Sequence, residues 1–387
     1  MTSAARRGQP PKAGAGRIGP PSPALPVRWG ALALAFLLAA CTGGGQTPGA
    51  SPAGSPAPQP SPTAEGSAPE GQFKNPVLAV NFPDPFILKD GNTYYAYATN
   101  TRRGEPLRHI QVARSPDLLK WKLLPDALPA PAVWSIRDYW APEVTKTTAG
   151  YVMYYSAKSA SVLNPSASNA ECISLGIARS PEGPFVDRST KPFVCQADLG
   201  GSIDPSAYTD ADGTRYLIWK NDGNCCGMPT RFWIQQLSKD GTRLVGSPKD
   251  MGVLNDAQWE MSGYNLIEAP TLVLHAGTYY LFFSGGAYDS ESYATGYATS
   301  NSVTGPYKDA PENPILKTRE GSEAAGPGHQ SVIGGPRGGL WMAYHAWDKD
   351  AIGDLNGGMR SLWLDELVFE NGKPVVKGPD DGPQPAP

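Results

Sequence analysis

Three carboxylates stand where acid–base chemistry would need them. Asp84 in NFPDPFI, Asp204 in GSIDPSAY and Glu268 in IEAPTLV each open an apolar run beside a proline. A carboxylate set at the head of a buried strand is costly unless it is paired, and that cost is usually kept for function. Most of the 36 acidic residues are expected to be solvated surface charges, so the recurrence of the same setting is what singles out these three. A structural alternative is that Asp-Pro merely starts a strand with a cap-like side chain and a fixed φ. That alternative leaves Glu-Ala-Pro in the third case unexplained, whereas a longer acid reaching deeper suits a proton donor.

A repeat positions them. Five Tyr/Trp-rich segments alternate with period two behind a Gly turn: DGNTYYAYAT (90–99), AGYVMYYSA (149–157), DGTRYLIWK (212–220), AGTYYLFFSG (276–285) and GGLWMAYHA (338–346). A further strand-like segment follows each: HIQVARS, ISLGIARS, FWIQQLS, YATGYATS and RSLWLDELVF. Pro85, Pro142, Pro205 and Pro270 recur at intervals of about 60 residues, and a fifth unit begins near Ser331. A period of that size built only of short strands predicts an all-β, five-bladed β-propeller over residues 73–387. The first strand of each blade lines the central channel, so acids at strand heads from separate blades converge on one cavity.

Residues 1–41 read as an address. Arg6, Arg7, Lys12, Arg17 and Arg28 precede ALALAFLLAA (31–40), too short to span a bilayer and typical of an export signal. Leu38-Ala39-Ala40-Cys41 resembles a bacterial lipoprotein cleavage box, which would make Cys41 the lipidated first residue of the mature protein. An ordinary signal peptide cut nearby is the alternative, and the long basic stretch leaves room for a start codon further downstream. Residues 42–72, rich in Pro, Ser and Gly, carry almost no large apolar side chain and cannot offset the entropy of ordering, so they read as a disordered tether. The expectation is an exported protein held at a bacterial cell surface, touching the membrane through its lipid alone. Gly14, Gly16 and Gly19 spell a dinucleotide-binding pattern with no strand before them, and the match carries nothing.

Net charge of −3 gives no electrostatic case for nucleic acid, and a monomer is expected. Four cysteines remain after Cys41. Their even number in an exported chain favours disulfides, Cys172 with Cys195 and the adjacent pair Cys225–Cys226 with each other, over free buried thiols. The first pair would contribute about 3 kcal/mol by closing its loop. Four histidines, scattered, are too few for a zinc site.

Taken in order, FPDPF, WAPEV, SIDPSAY, KNDGN, EAP, GPGH and YHA followed by Arg360 resemble glycoside hydrolase family 43 over about residues 73–377. NFPDPF, YYAYATN and IEAPTL are nearest to its α-L-arabinofuranosidase and exo-arabinanase members. The resemblance implies an inverting hydrolase of arabinan or arabinoxylan oligosaccharides, with Asp84 as general base, Glu268 as general acid and Asp204 as the residue that tunes and orients the acid. Physical reasoning gives the same division: inversion needs two carboxyl groups about 6.5–9.5 Å apart with a water between, and a third carboxylate near the acid disfavours its ionised form. Trp140, Glu143, Arg360 and His345 are expected to line or brace the pocket, with Glu143 at the matching position in blade two. No cofactor is required, although the resemblance allows a calcium ion in the channel near His329. β-Xylosidase or endo-arabinanase action on the same triad stays open, as does a propeller that only binds sugar.

Overall fold

The computed structural model describes residues 71–102 and 104–387. The expected export signal, the lipid site at Cys41 and all but the end of the 42–72 tether lie outside them. No helix among the described residues is long and apolar enough to cross a membrane.

Five antiparallel sheets follow one another along the chain, each a blade. Blade one runs Phe86–Asp90, Thr93–Ala98, Gln111–Ser115, Lys122–Leu123; blade two Ser135–Thr147, Gly150–Leu163, Asn169–Ala178. Blade three is Ser202–Thr209, Arg215–Asn221, Phe232–Leu237, Leu244–Asp250, and blade four Ile267–His275, Thr278–Gly285, Ala294–Ser300, Lys308–Asp309. Blade five, Ala324–Gly334, Leu340–Asp348, Arg360–Glu370 and Lys373–Val376, begins before Ser331. The fourth strands, absent from the sequence reading, run from two residues in blades one and four to seven in blade three and have no aromatic alternation to betray them. Blade two has none, and bridges from Ile177 to Val186 and from Ile173 to Val194 stand in its place.

The aromatic alternation marks strands buried on both faces. In blade two Val152 and Tyr154 pack toward blade three while Tyr151, Met153 and Tyr155 pack toward blade one; in blade four Leu281 and Phe283 meet blade three while Tyr280 and Phe282 meet blade five. The core is therefore a set of five clusters, one between each pair of neighbouring blades. The ring closes where the segment before blade one crosses blade five: Val77 N–H donates to Leu362 O at 2.9 Å and Phe82 N–H to Arg360 O at 2.8 Å. Gln72–Phe73 then pairs with Gln384–Pro385, tying the two ends of the domain.

The Cys172–Cys195 disulfide is present. Cys225 and Cys226 are not bonded, which corrects the expectation of a second disulfide: their sulfurs lie 2.7 Å apart as free thiols. Adjacent residues can join only through a strained eight-membered ring, and here the pair sits in one turn of 3-10 helix over Gly223–Cys226.

Candidate active site

The site is built by one local device used five times. Asp84, Ala141, Asp204, Ala269 and His329 each adopt a left-handed backbone, with φ between 45° and 57°. For residues other than glycine this costs on the order of 1–3 kcal/mol apiece and persists only where surroundings enforce it. In blades two to five the enforcement is a β-bulge. Ala141-Pro142, Asp204-Pro205, Ala269-Pro270 and His329-Gln330 each put two residues opposite one, where the ladder register slips. Proline is tolerated there because the bulged residue has no ladder partner to donate to.

Four of the five left-handed residues send their N–H to a side chain on, or one residue past, the second strand of the preceding blade. Ala141 N–H donates to Thr99 Oγ1 at 3.0 Å, Asp204 N–H to Ser156 Oγ at 3.1 Å, His329 N–H to Ser284 Oγ at 2.8 Å and Asp84 N–H to His345 Nδ1 at 3.1 Å. Blade three departs from the pattern. The equivalent residue is Lys220, which cannot accept, and Asp204 Oδ2 takes the Ala269 N–H instead, at 2.9 Å.

This register corrects the sequence alignment of the acids. The ring position holds Asp84, Ala141, Asp204, Ala269 and His329, so Glu268 lies one residue earlier, in the slot filled by Pro83, Trp140, Ile203 and Gly328 in the other blades. Glu143, read from sequence as the match to Asp84, lies two residues beyond the ring position. Its carboxylate lines a narrow axial space of about 30 Å³ with Phe86, Thr271 and Ser331 and accepts the Ala207 N–H at 2.5 Å; the sugar-sized pocket does not reach it. Burial pushes Glu143 up to about 8.

Asp84, Asp204 and Glu268 line one open cavity of about 550 Å³ together with Trp140, His329 and Arg360. A larger groove of about 970 Å³ on the outside of blades two and three, floored by Leu175, Val186 and Phe193, holds none of the three acids. Asp84 accepts from Arg360 Nη1 at 3.0 Å on Oδ1 and from Thr99 Oγ1 at 2.5 Å on Oδ2. Burial alone would raise its pKa; the Arg360 charge, with His329 and His345 behind it, reverses that and holds the carboxyl well below the usual range. Arg360 in turn lies 5.0 Å from the ring of Tyr288 and 5.5 Å from that of Trp347. The placement of Arg360 is thus toward Asp84 as much as toward a ligand.

His345, expected among the pocket residues, does not line the cavity. It is fully buried behind Asp84, and acceptance of the Asp84 N–H by Nδ1 puts the proton on Nε2. Burial lowers its pKa to about 4, so the ring is neutral and its task is to hold the Asp84 backbone. His329 Nδ1 stands 3.4 Å from Asp84 Oδ1 at the junction of cavity and axial space. Among the described residues no three His, Cys, Asp or Glu side chains form a set that could hold a metal ion. The carboxylates around His329 already accept hydrogen bonds within the protein, Asp84 from Arg360 and Thr99, Asp204 from Ala269 and Glu143 from Ala207.

Glu268 is held by Lys220 Nζ at 3.2 Å on Oε2 and by Tyr293 O–H at 2.7 Å on Oε1. Asp204 is pushed up to about 6, first by burial and also by the nearby Glu268 charge, against His329 and Lys220. To the two acids that sequence reasoning paired, the structure adds the ammonium of Lys220, 3.2 Å from Glu268 Oε2. Lys220 and Thr99 were missed as site residues. Both end an aromatic second strand one hairpin after a ring residue, which is the signal that marks them.

A propeller whose end gathers an ionised carboxylate on an arginine, a second carboxyl in the same cavity and a third beside the second has the equipment of a glycoside hydrolase. The chain belongs to glycoside hydrolase family 43, whose family model matches residues 73–374. It is 25% identical over 315 residues to extracellular endo-α-(1→5)-L-arabinanase 1 of Bacillus subtilis, covering 75% of this chain and 86% of that one. It is 28% identical to the xylan 1,3-β-xylosidase of a Vibrio species, over 70% of this chain and 49% of that one, and 24% identical to the extracellular exo-α-(1→5)-L-arabinofuranosidase of Streptomyces avermitilis, over 78% and 62%. The crystal structure of a thermostable family-43 glycoside hydrolase superposes with a TM-score of 0.70 at 30% identity, over 81% of this chain and 99% of that one.

Proposed function

We propose that this glycoside hydrolase removes α-L-arabinofuranosyl residues from arabinan or arabino-oligosaccharides with inversion at the anomeric carbon. The observation that carries the mechanism is the contrast between Asp84, held ionised by Arg360, and Glu268, held across the same cavity by Lys220 and Tyr293. Asp84 takes a proton from a water, whose oxygen attacks the anomeric carbon as the bond to the leaving oxygen breaks. Glu268 gives its proton to that oxygen, and the two carboxyls return to their starting states by exchange with solvent. Asp204, shared between the Ala269 N–H and the field of Glu268, orients the donor.

The arabinose assignment rests on the motifs NFPDPF and IEAPTL and on two relatives named for α-(1→5)-L-arabinan bonds. The Vibrio relative supports a second reading, β-xylosidase action by the same acids. Export and a lipid anchor at Cys41 are proposed from the leader, in keeping with relatives named as extracellular. The test is hydrolysis of linear arabinan, nitrophenyl arabinofuranoside and nitrophenyl xyloside by the purified domain, with NMR of the first-formed anomer. Activity confined to the xyloside overturns the arabinose assignment, a retained anomer overturns the mechanism, and binding without turnover makes the propeller a lectin.

A further inference from the structure

In four of the five blades a side chain on, or one residue past, the second strand accepts a backbone N–H from the next blade: Thr99, Ser156, Ser284 and His345. At the equivalent position blade three has Lys220, fully buried, with its ammonium 3.2 Å from Glu268 Oε2. The vacated acceptor role falls to Asp204, whose Oδ2 takes the Ala269 N–H one residue from Glu268. One substitution in a fivefold pattern therefore does two things: it ties Asp204 to the backbone beside the donor and delivers a desolvated positive charge to the donor's carboxyl. A buried ammonium is expensive unless paired, and nothing in the packing of blade three requires one, because a hydroxyl serves in blades one, two and four.

We infer that Lys220 is a positioning residue of the reaction which stabilises the carboxylate left on Glu268 after proton transfer, an inference that rests on Glu268 being the donor. Lysine has three donors and no acceptor, so it fixes Oε2 as an acceptor and leaves the proton to the remaining lone pairs of the carboxyl. The other charged or titratable groups facing Glu268 are Asp204 and Asp222 of blade three, Tyr293 of blade four and, through its influence on Asp204, His329 of blade five. Lys220 is the one in direct contact that opposes the negative charge arising on Glu268 as the glycosidic bond breaks. Its effect must grow with the demand for protonation of the leaving group.

The experiment compares Lys220→Ser, which rebuilds the hydroxyl used by three other blades, and Lys220→Met, which keeps the volume, with Glu268→Ala. Both lysine variants should lose about 10–100-fold in kcat on linear arabinan, less than the 10²–10⁴ of a lost general acid, and only a few-fold on dinitrophenyl arabinofuranoside, whose leaving group needs no proton. Across a series of aryl arabinofuranosides the loss should grow as the leaving group becomes more basic, because the charge matters only where proton transfer is demanded. Thermal midpoints identify any variant that fails to fold; if the serine form does, the methionine form decides. Equal losses on both substrates, with no dependence on the leaving group, overturn the inference. If Glu268→Ala itself shows no dependence on the leaving group, the donor assignment falls; if it does and the lysine variants do not, only the role of Lys220 falls.

Discussion

Replacement of Arg360 by Met should move the acid limb of the pH–rate profile upward. Asp84 must be ionised to accept a proton, and kcat/KM therefore falls as pH drops through its folded pKa. Burial pushes that pKa up; the guanidinium at 3.0 Å is the largest opposing influence, followed by His329 and His345. Of these, His345 is neutral near pH 7. An adjacent opposite charge lowers a carboxyl by about 1–3 pH units, each about 1.4 kcal/mol. With Thr99 and His329 still in place, the expected rise is about 1–2 pH units. Met preserves the apolar stem between Tyr288 and Trp347, so the change is chiefly one of charge. Stability must move with it. A carboxyl whose folded pKa lies below its ordinary 3.8 contributes stability that is present above that value and lost as pH falls through the folded pKa. The variant loses this contribution, and a rise of about 1–2 pH units corresponds to a deficit of about 1.4–2.8 kcal/mol at pH 7. The deficit should shrink as pH falls through the raised pKa of Asp84 in the variant. The assays are kcat/KM and urea midpoints between pH 3 and 8. An unmoved acid limb, or a deficit equal at both ends, refutes the electrostatic account of Asp84.

Glu143 tests the opposite sign. Its folded pKa of about 8 lies above the ordinary 4.5, so the unfolded chain loses that proton first and stability declines as pH rises from about 4.5 to 8; Glu143→Gln should flatten the decline in thermal midpoint without changing kcat, and an unchanged slope counts against it. Thr99→Val strands the Ala141 N–H and removes the bond to Asp84 Oδ2, so urea midpoints should report a loss of about 1–3 kcal/mol, with a raised acid limb. Titration of the denatured, unreduced domain should find two thiols, Cys225 and Cys226, and both none and four would contradict the structure. Asp84→Ala should nearly abolish turnover on every substrate, activated or not, since water activation is needed in each case.

Much of this was open to sequence reasoning because it rests on short-range pattern. Alternating aromatics such as YVMYYSA write out strands packed on both faces, and X-Pro at strand heads writes out the bulges. The recurrence of Pro85, Pro142, Pro205 and Pro270 already puts Ala141 opposite Asp84 and sets Glu268 one residue early, and Glu143, matched to Asp84 as an acid, stands two residues out of that register. The fourth strands and the inward burial of His345 were not legible, since edge pairing and the side of a sheet wall that a ring faces depend on neighbours distant in sequence. Lys220 lay within a quoted motif, yet its meaning depends on comparison with Thr99, Ser156, Ser284 and His345, and that comparison exists only once the five second strands are superposed by their bonds.

The same geometry explains why the acids are asymmetric in a fold that is nearly fivefold. A ring residue in left-handed conformation has its N–H fixed by the preceding blade, so its side chain is aimed by backbone rather than by rotamer choice, and Asp84 and Asp204 are accordingly short acids on rigid mounts. The slot one residue earlier pairs in the ladder, Glu268 with Ser284, and its side chain projects from a regular strand into the open cavity. A group that must meet leaving oxygens of varied position benefits from the longer reach of glutamate, here restrained by the side chains of Lys220 and Tyr293 and not by its own backbone N–H. A base that must hold one water against one carbon benefits from the rigid mount. Exchange of the two acid types, Asp84→Glu or Glu268→Asp, should therefore harm differently. The first should cost activity on all substrates alike, and the second chiefly on those with poor leaving groups, a split that kcat/KM on arabinan and on the dinitrophenyl glycoside would resolve.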